Sequence, residues 1–162
     1  MWASVLIFSK MTDRQKEVFN SLSAQCARRE YCVSDIRRKA VERLEGDREA
    51  AEEVVSELVE QRFVDDARYA SAFAREKASL QGWGAIKIRY MLRGKGISDA
   101  DIAAGLAEVD SAKAGERLYK LLENKWKTLQ DDPQGKFKLI KFALTRGYDY
   151  PEVEAAVKEI TG

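Results

Sequence analysis

The stretch that decides the fold is Gly84-Ala-Ile-Lys-Ile-Arg-Tyr-Met-Leu-Arg-Gly-Lys-Gly-Ile97. It returns in altered form 51 residues later, as Gly135-Lys-Phe-Lys-Leu-Ile-Lys-Phe-Ala-Leu-Thr-Arg-Gly-Tyr148. A fixed period with matching glycine and apolar positions predicts one supersecondary unit used more than once. Such helical arrays usually offer a long binding surface. The matched positions are Gly84/Gly135, Ile86/Phe137, Ile88/Leu139, Met91/Phe142, Lys95/Arg146, Gly96/Gly147, Ile97/Tyr148, Ile102/Val153, Leu106/Val157 and Val109/Ile160.

Apolar residues at helical spacing run through the chain, and only two prolines interrupt it, so the sequence predicts an all-α protein. We expect nine helices in three tandem three-helix repeats, because one unit of this size buries too little surface alone. The predicted domains are an N-terminal extension at 1–10, unstructured or loosely packed, and repeats at 11–62, 63–110 and 111–162. Met11 is an alternative natural start for the protein.

Helix chemistry predicts particular caps and buried stripes. Ser34 and Ser98 are expected to cap helices, and so is either Asp65 or Asp66. Side chains expected on buried stripes are Tyr69, Ala70, Phe73, Leu80, Ile88, Met91, Leu92, Phe137 and Phe142. Trp83 lies between two glycines, so it either packs across a repeat junction or stays exposed to stack on a base or a partner.

The sequence lacks the residue patterns that usually carry catalysis or bind a metal. The chain has no histidine, the usual general base near neutral pH. The spacing of Cys26 and Cys32 fits no zinc motif, and the acidic pairs 65–66 and 131–132 suit caps better than metal ligands. The run Val5-Leu-Ile-Phe8 is too short to span a bilayer. We therefore expect no catalytic residue, no metal, no cofactor and no membrane partner, in a cytoplasmic protein with free thiols.

Charge alternates along the chain although the net charge is only +1. Residues 28–39, 67–97 and 113–147 carry net charges of +3, +6 and +5, whereas residues 42–66, 98–112 and 148–162 carry −7, −4 and −3. The middle helix of each repeat is thus basic and the last is acidic. If the repeats stack in register, the basic helices form a stripe suited to an acidic protein groove or a phosphate backbone. Ordinary solvated faces paired by salt bridges are the alternative.

The chain resembles the RecX family, bacterial regulators of the RecA recombinase. The resemblance rests on Phe63-Val-Asp-Asp-Ala-Arg-Tyr-Ala-Ser-Ala-Phe-Ala-Arg75 and on Leu92-Arg-Gly-Lys-Gly-Ile97. Ser34-Asp-Ile-Arg-Arg-Lys39 and Lys141-Phe-Ala-Leu-Thr-Arg-Gly-Tyr148 support it. The first repeat departs from the family at Leu44-Glu-Gly-Asp47, which puts its share of a binding surface in doubt.

The resemblance implies a curved, elongated molecule that binds the RecA–single-stranded DNA filament and mainly inhibits the recombinase, ATPase and co-protease activities, with consequences for DNA repair and the SOS response. It implies a monomer, with single-stranded DNA bound weakly or through RecA. The family motif itself is expected to be structural, at Phe63, Asp65, Asp66, Tyr69, Phe73, Gly84, Gly96 and Gly147. The basic residues expected to touch partner or DNA are Arg37, Arg38, Lys39, Arg75, Lys87, Arg89, Arg93, Lys95, Lys136, Lys138, Lys141 and Arg146.

Two other functions compete with this one. A helix-turn-helix DNA-binding protein is compatible with the helix–glycine–helix connections at Gly96 and Gly147. Against it, no single helix carries the cluster of Asn, Gln and Arg that reads base edges. A helical scaffold unrelated to DNA is the second alternative. Its binding to a partner would depend neither on salt concentration nor on RecA.

Overall fold

A computed structural model of the protein describes residues 2–162 apart from the side chains of Trp2 and Ser4. Over this range the chain is all-α, with ten helices and no strand, which confirms the predicted fold class. None of the helices in this range is both long and apolar enough to cross a membrane. The helices are α1 (Trp2–Lys10), α2 (Asp13–Arg28), α3 (Val33–Arg43), α4 (Arg48–Glu60), α5 (Asp66–Gln81), α6 (Ala85–Gly94), α7 (Asp99–Ala107), α8 (Ser111–Trp126), α9 (Gly135–Thr145) and α10 (Tyr150–Thr161).

Residues 2–10 form the additional helix α1, so the expectation that the N-terminal extension is unstructured is wrong, whereas a loosely packed extension agrees with its mostly exposed side chains. This helix contacts α4, and the ring of Phe8 meets Phe19 of α2 edge to face at 5.1 Å between centroids. Val5, Leu6 and Ile7 remain exposed. Phe8 thus packs the end of α1 against the core, a contact that no local sequence pattern predicts.

The helices form two compact units. The first contains the described residues up to Tyr69 together with Lys95–Ile97, and the second contains Ala70–Gly94 and Ser98–Gly162. The predicted boundaries of the three repeats stay a prediction. The core of the first unit comes from α2, α3 and α4, with Leu22, Ile36 and Leu58 fully buried. These residues recur at helical spacing on amphipathic helices, so their burial excludes water from one face of each helix.

Helix α3 begins at Val33, before the predicted cap at Ser34, and Ser34 does not cap it. The N-cap position is Cys32, whose side chain makes no capping hydrogen bond. Instead the carboxylate of Asp66 accepts the backbone N–H of Val33 at 2.8 Å. Ser34 Oγ donates to the carbonyl of Lys95 at 2.7 Å. A long-range carboxylate thus satisfies the helix start in place of a local cap, which is why the sequence pattern alone misplaces that start.

Asp65 and Asp66 have different tasks although they are adjacent. Asp65 Oδ1 accepts from the backbone N–H of Arg68 at 3.0 Å and so caps the start of α5. Asp66 Oδ1 instead accepts from the backbone N–H of Val33 at the start of α3. At the other predicted serine cap, Ser98 accepts from Asp101 N at 3.2 Å, as expected. Pro151 sits in the first turn of α10, where a missing N–H costs nothing.

In the second unit, α5 buries a stripe of small residues, Ala70, Ala74 and Ala78. The prediction that Leu80 lies on this buried stripe is wrong, since 80% of its surface is exposed. Three alanines allow the backbone of α5 to approach its neighbours closely, and Leu80 faces away from that side of the helix. A cluster formed by α8, α9 and α10 fills the rest of this unit, with Leu118, Leu122, Leu139, Ala143, Tyr148, Val153 and Val157 buried.

Several positions matched by the 51-residue period have matching environments. The matched pairs Ile88/Leu139 and Ile102/Val153 are buried. Gly96 and Gly147 both have positive φ, at 75° and 91°, where an L side chain is strained. Ile86 and Phe137 are both exposed, so the predicted burial of Phe137 is wrong. The period therefore preserves outward-facing positions as well as buried ones.

The predicted burial of Met91 is also wrong. This side chain lies at the edge of the apolar stripe of α6 and is 38% exposed, whereas Ile88 and Leu92 are fully buried. Helix α6 has only ten residues and packs through a narrow face, so a residue one position off the centre of the stripe stays in contact with solvent.

Candidate partner-binding surface

Three of the predicted basic residues lie on α3, and all are held by neighbours. Arg37 meets Glu52 of α4 through Nε at 2.8 Å and Nη2 at 3.2 Å. Because of this two-point contact, the pKa of Arg37 is raised and that of Glu52 is lowered. Arg38 lies 3.8 Å from Asp35, and the Lys39 ammonium sits 5.6 Å from the centroid of the Tyr31 ring. Arg37 and Arg38 are thus paired with carboxylates within the unit and add little net field for a partner, whereas Lys39 contacts a ring and has no carboxylate partner among the described residues.

Lys95 is the centre of a part-buried polar cluster in the same unit. Its ammonium donates to Asp35 at 3.1 Å and lies 5.8 Å from the centroid of the Tyr69 ring. Burial by itself would raise the pKa of Asp35, but hydrogen bonds from the Cys32 thiol and from Lys95 outweigh it and the pKa is lowered. The pKa of Lys95 is raised although burial opposes this, because Asp35 stabilises the ammonium. The cluster fixes the turn at residues 95–97 against the start of α3.

In the second unit, α6 and α9 carry bases and no acid at all. On α6, Arg93 pairs with Asp99 at 3.0 Å, and the Lys87 ammonium lies 4.2 Å from the centroid of the Trp83 ring. Arg89 is partly exposed and takes part in none of the ion pairs between described residues. On α5, Arg75 reaches Glu108 at 3.0 Å. Helix α6 thus presents both satisfied and uncompensated positive charge.

Two of the three bases on α9 form no ion pair with the described residues. Lys138 is held by Asp132 at 2.6 Å, and this contact lowers the pKa of Asp132. Lys136 and Lys141 are exposed, and neither joins an ion pair within the part of the chain that the structure describes. A positive charge without an internal counterion is attracted to an external anion at no cost of breaking a salt bridge.

The end of α9 meets the beginning of α6 through backbone hydrogen bonds. Gly84 N donates to the carbonyl of Arg146 at 2.8 Å, and Ile86 N donates to that of Gly147 at 3.0 Å. Tyr148 Oη donates to the carbonyl of Gly82 at 2.9 Å, and burial raises the pKa of this phenol. Carbonyls at one helix end thus satisfy N–H groups at the start of another, with the two dipoles head to tail.

Both glycines are needed for this close approach. A Cβ on Gly147 would collide with the backbone and Cβ of Lys87, and one on Gly84 would collide with the Gly147 carbonyl. Arg146 also crosses this contact, donating to the Gln81 carbonyl at 3.3 Å and lying 5.0 Å from the centroid of the Phe142 ring. The structure therefore brings the segments of Lys87 and Arg146 together, which their separation in sequence does not suggest.

Trp83 packs rather than standing free. Its ring meets Phe73 at 6.1 Å between centroids and faces the ammonium groups of Lys77 and Lys87. Of the other motif residues, Phe63 meets Phe19 edge to face at 6.0 Å. Both residues thus make aromatic contacts with neighbouring side chains. No cluster of three or more metal-ligating side chains occurs among the described residues.

Sequence reasoning missed a set of exposed apolar residues on the same two basic helices. Large apolar side chains are usually buried, and a group of them on an exposed surface often marks a site where a partner binds. The one sequence signal for them is the period itself, because Ile86 and Phe137 occupy matched positions. The exposed set comprises Ile86, Tyr90 and Met91 on α6 and Phe137 and Leu144 on α9.

Comparison with known proteins identifies the family to which this chain is similar. The family model for RecX, second three-helix domain, matches residues 65–106. The regulatory protein RecX of Clostridium tetani is 30% identical over 118 residues, covering 70% of this chain and 54% of the relative. That of Clostridium botulinum strain Alaska E43 is 33% identical over 117 residues, with the same coverages. The chain thus spans about half the length of the curated relatives it matches.

Solved structures agree on the fold. A crystal structure of regulatory protein RecX superposes with a TM-score of 0.80 at 23% identity, covering 91% of this chain and 72% of the other. RecX from Lactobacillus salivarius superposes with a TM-score of 0.77 at 18% identity, covering 91% and 97%. The chain is thus an all-α protein that contains a three-helix domain of the RecX type over residues 65–106. The chain belongs to the RecX family.

Proposed function

We propose that this protein binds the RecA–single-stranded DNA filament and modulates RecA, mainly by inhibiting its recombinase, ATPase and co-protease activities. It acts as a binding protein in the cytoplasm, as a monomer and without chemistry of its own. ATP and magnesium belong to the partner. Membership of the RecX family supports the choice of RecA as partner, because the resemblance noted in the sequence is to bacterial regulators of RecA.

The observation that carries the proposal is the uncompensated charge on α9. A filament made of protein and DNA presents phosphates and acidic side chains, and contacts to them are strongest where no internal salt bridge must be broken. Lys136 and Lys141 meet this condition, and Arg89 meets it on α6. The predicted contacts of Arg37 and Arg93 are weaker, because each must first leave an acidic neighbour.

The test is the DNA-dependent ATPase of the cognate RecA, titrated with this protein. We expect wild-type protein to inhibit, and Lys136→Glu/Lys141→Glu to need roughly tenfold more protein for the same inhibition, since charge reversal turns attraction into repulsion. The matched control is Lys113→Glu/Lys120→Glu on α8, which changes the net charge equally at exposed positions. It should inhibit almost as well as wild type.

Equal loss of inhibition in both charge-reversal variants would show that only overall charge matters and would remove α9 from the contact. Absence of inhibition by the folded wild-type protein would contradict the proposed function itself. In that case a footprint on one duplex sequence would favour the helix-turn-helix alternative.

A further inference from the structure

Two aromatic side chains, one on α6 and one on α9, are largely exposed to solvent. Tyr90 on α6 is 75% exposed and Phe137 on α9 is 66% exposed. Each lies on a helix that carries three bases and no acid. Exposed rings on helices that carry only bases are accessible to an external partner that offers both negative charge and an apolar face.

The two helices form one path because α9 ends where α6 begins. The carbonyls of Arg146 and Gly147 receive the N–H groups of Gly84 and Ile86, so the helix termini abut. At 1.5 Å per residue, Phe137 lies roughly 12 Å along α9 from its end at Thr145, and Tyr90 lies roughly 8 Å along α6 from its start at Ala85. In chain order, Lys136 and Lys141 flank Phe137 on α9, and Arg89 precedes Tyr90 on α6, all without an ion pair among the described residues.

We propose that single-stranded nucleic acid binds directly along α9 and α6, with Tyr90 and Phe137 as stacking platforms for bases. A basic path supplies attraction for the phosphate backbone, and any base offers a π-face to an aromatic ring. An acidic protein segment would also be attracted to the basic side chains, but it would gain most from aliphatic contacts. The most exposed large apolar side chain on each helix is aromatic, which favours nucleobases.

This inference rests on the proposed function in assigning one part of the same surface to DNA, but its test is made without RecA. The measurement is fluorescence anisotropy of a labelled oligothymidine of about 20 nucleotides, a length chosen to exceed the site size of a small single-strand-binding module, titrated with the protein over a range of salt concentrations. An oligonucleotide of the same length with abasic sites is the second probe, because it keeps the phosphates and removes the stacking partners.

Tyr90→Ala and Phe137→Ala should each weaken oligothymidine binding about tenfold, in line with the cost of removing one stacked base. The slope of log affinity against log salt should not change, since no charge is removed, whereas Lys136→Ala should reduce it. Tyr90→Phe should bind like wild type. The matched control is Tyr150→Ala, since Tyr150 is half exposed but starts the acidic helix α10. It should leave binding unchanged.

Equal affinity of wild type, Tyr90→Ala and Phe137→Ala for oligothymidine would overturn the inference, as would equal affinity of wild type for the abasic probe. No binding at low salt would overturn it too. If the same preparation still inhibited the RecA ATPase, the proposed function would stand and these rings would contact protein instead. Binding with no ATPase inhibition would support this inference and contradict the proposed function.

Discussion

The turns that follow α6 and α9 are equivalent in sequence but are held in different ways. Lys95-Gly96-Ile97 and Arg146-Gly147-Tyr148 each supply a base, a glycine with positive φ and a buried apolar residue. The first turn is held by side chains of α3, since Ser34 donates to Lys95 O and Asp35 pairs with the Lys95 ammonium. The second is held by backbone groups at the start of α6.

This difference shows that two copies of a repeat can differ in their docking contacts and still keep the same fold. Positive φ and a buried following residue are kept in both turns, because they set the angle between successive helices. The groups that dock each turn differ. They are polar side chains at the turn after α6 and backbone amides at the turn after α9. Backbone contacts demand close approach, so the second turn has no room for a side chain at its glycine, whereas the first does.

The largest effect that separates the turns concerns their glycines. Gly96→Ala should lower the free energy of unfolding by about 1 kcal/mol, the usual cost of left-handed backbone for an L residue, since nothing lies within 4 Å of the new Cβ. Gly147→Ala carries the same strain and also collides with the backbone of Lys87, so it should cost about 3 kcal/mol or more.

Urea unfolding followed by circular dichroism measures both losses. Gly115→Ala is the control, because this glycine lies inside α8 with φ outside the left-handed region and nothing within 4 Å of its Cβ. It should stabilise by a few tenths of a kcal/mol to about 1 kcal/mol. Similar losses for Gly96→Ala and Gly147→Ala would mean that the two turns are docked alike, and the contrast between side-chain and backbone docking would then be wrong.

A smaller effect separates the turns by pH. Asp35→Asn should lower the free energy of unfolding by about 1 kcal/mol at neutral pH, because it removes the charge that faces Lys95. The folded-state pKa of Asp35 is lowered, so its contribution is present above the unfolded pKa of about 3.9 and is lost as pH falls through the folded value. The difference between variant and wild type should therefore vanish in acid.

The second turn should respond differently, because no carboxylate of the described residues pairs with Arg146, which donates to the Gln81 carbonyl. Arg146→Gln should lower the free energy of unfolding by a similar or smaller amount, and this loss should stay constant as pH falls from about 7 to about 3, the range in which carboxylates titrate. Unfolding in urea at several pH values checks both variants. A loss for Asp35→Asn that persists at the acid end would show that packing, and not charge, holds the first turn.

Much of this architecture is predictable from the sequence because it depends on local spacing. The buried faces through Ile88, Leu92 and Leu139 follow from 3.6-residue periodicity, and the turns at Gly96 and Gly147 follow from helix-ending glycines. The sequence also separates basic helices from acidic ones. Family membership then follows from the segment that starts at Phe63.

What the sequence does not predict depends on contacts between distant residues. The Asp66 cap on Val33 and the docking of Gly147 on Lys87 join segments far apart in the chain, and no local pattern encodes them. The apolar type of Phe137 predicts a core position, but the helix turns this side chain outward. Which basic residues are already paired is likewise visible only in three dimensions.

Whether α9 contacts the RecA filament is tested most directly by binding fluorescently labelled protein to filaments preassembled on single-stranded DNA with a slowly hydrolysed ATP analogue. We expect saturable, salt-sensitive binding that Lys136→Glu/Lys141→Glu weakens about tenfold and Lys113→Glu/Lys120→Glu leaves nearly unchanged. Failure of the folded wild-type protein to bind the filament at any salt concentration would contradict RecA-filament binding as the function of this protein.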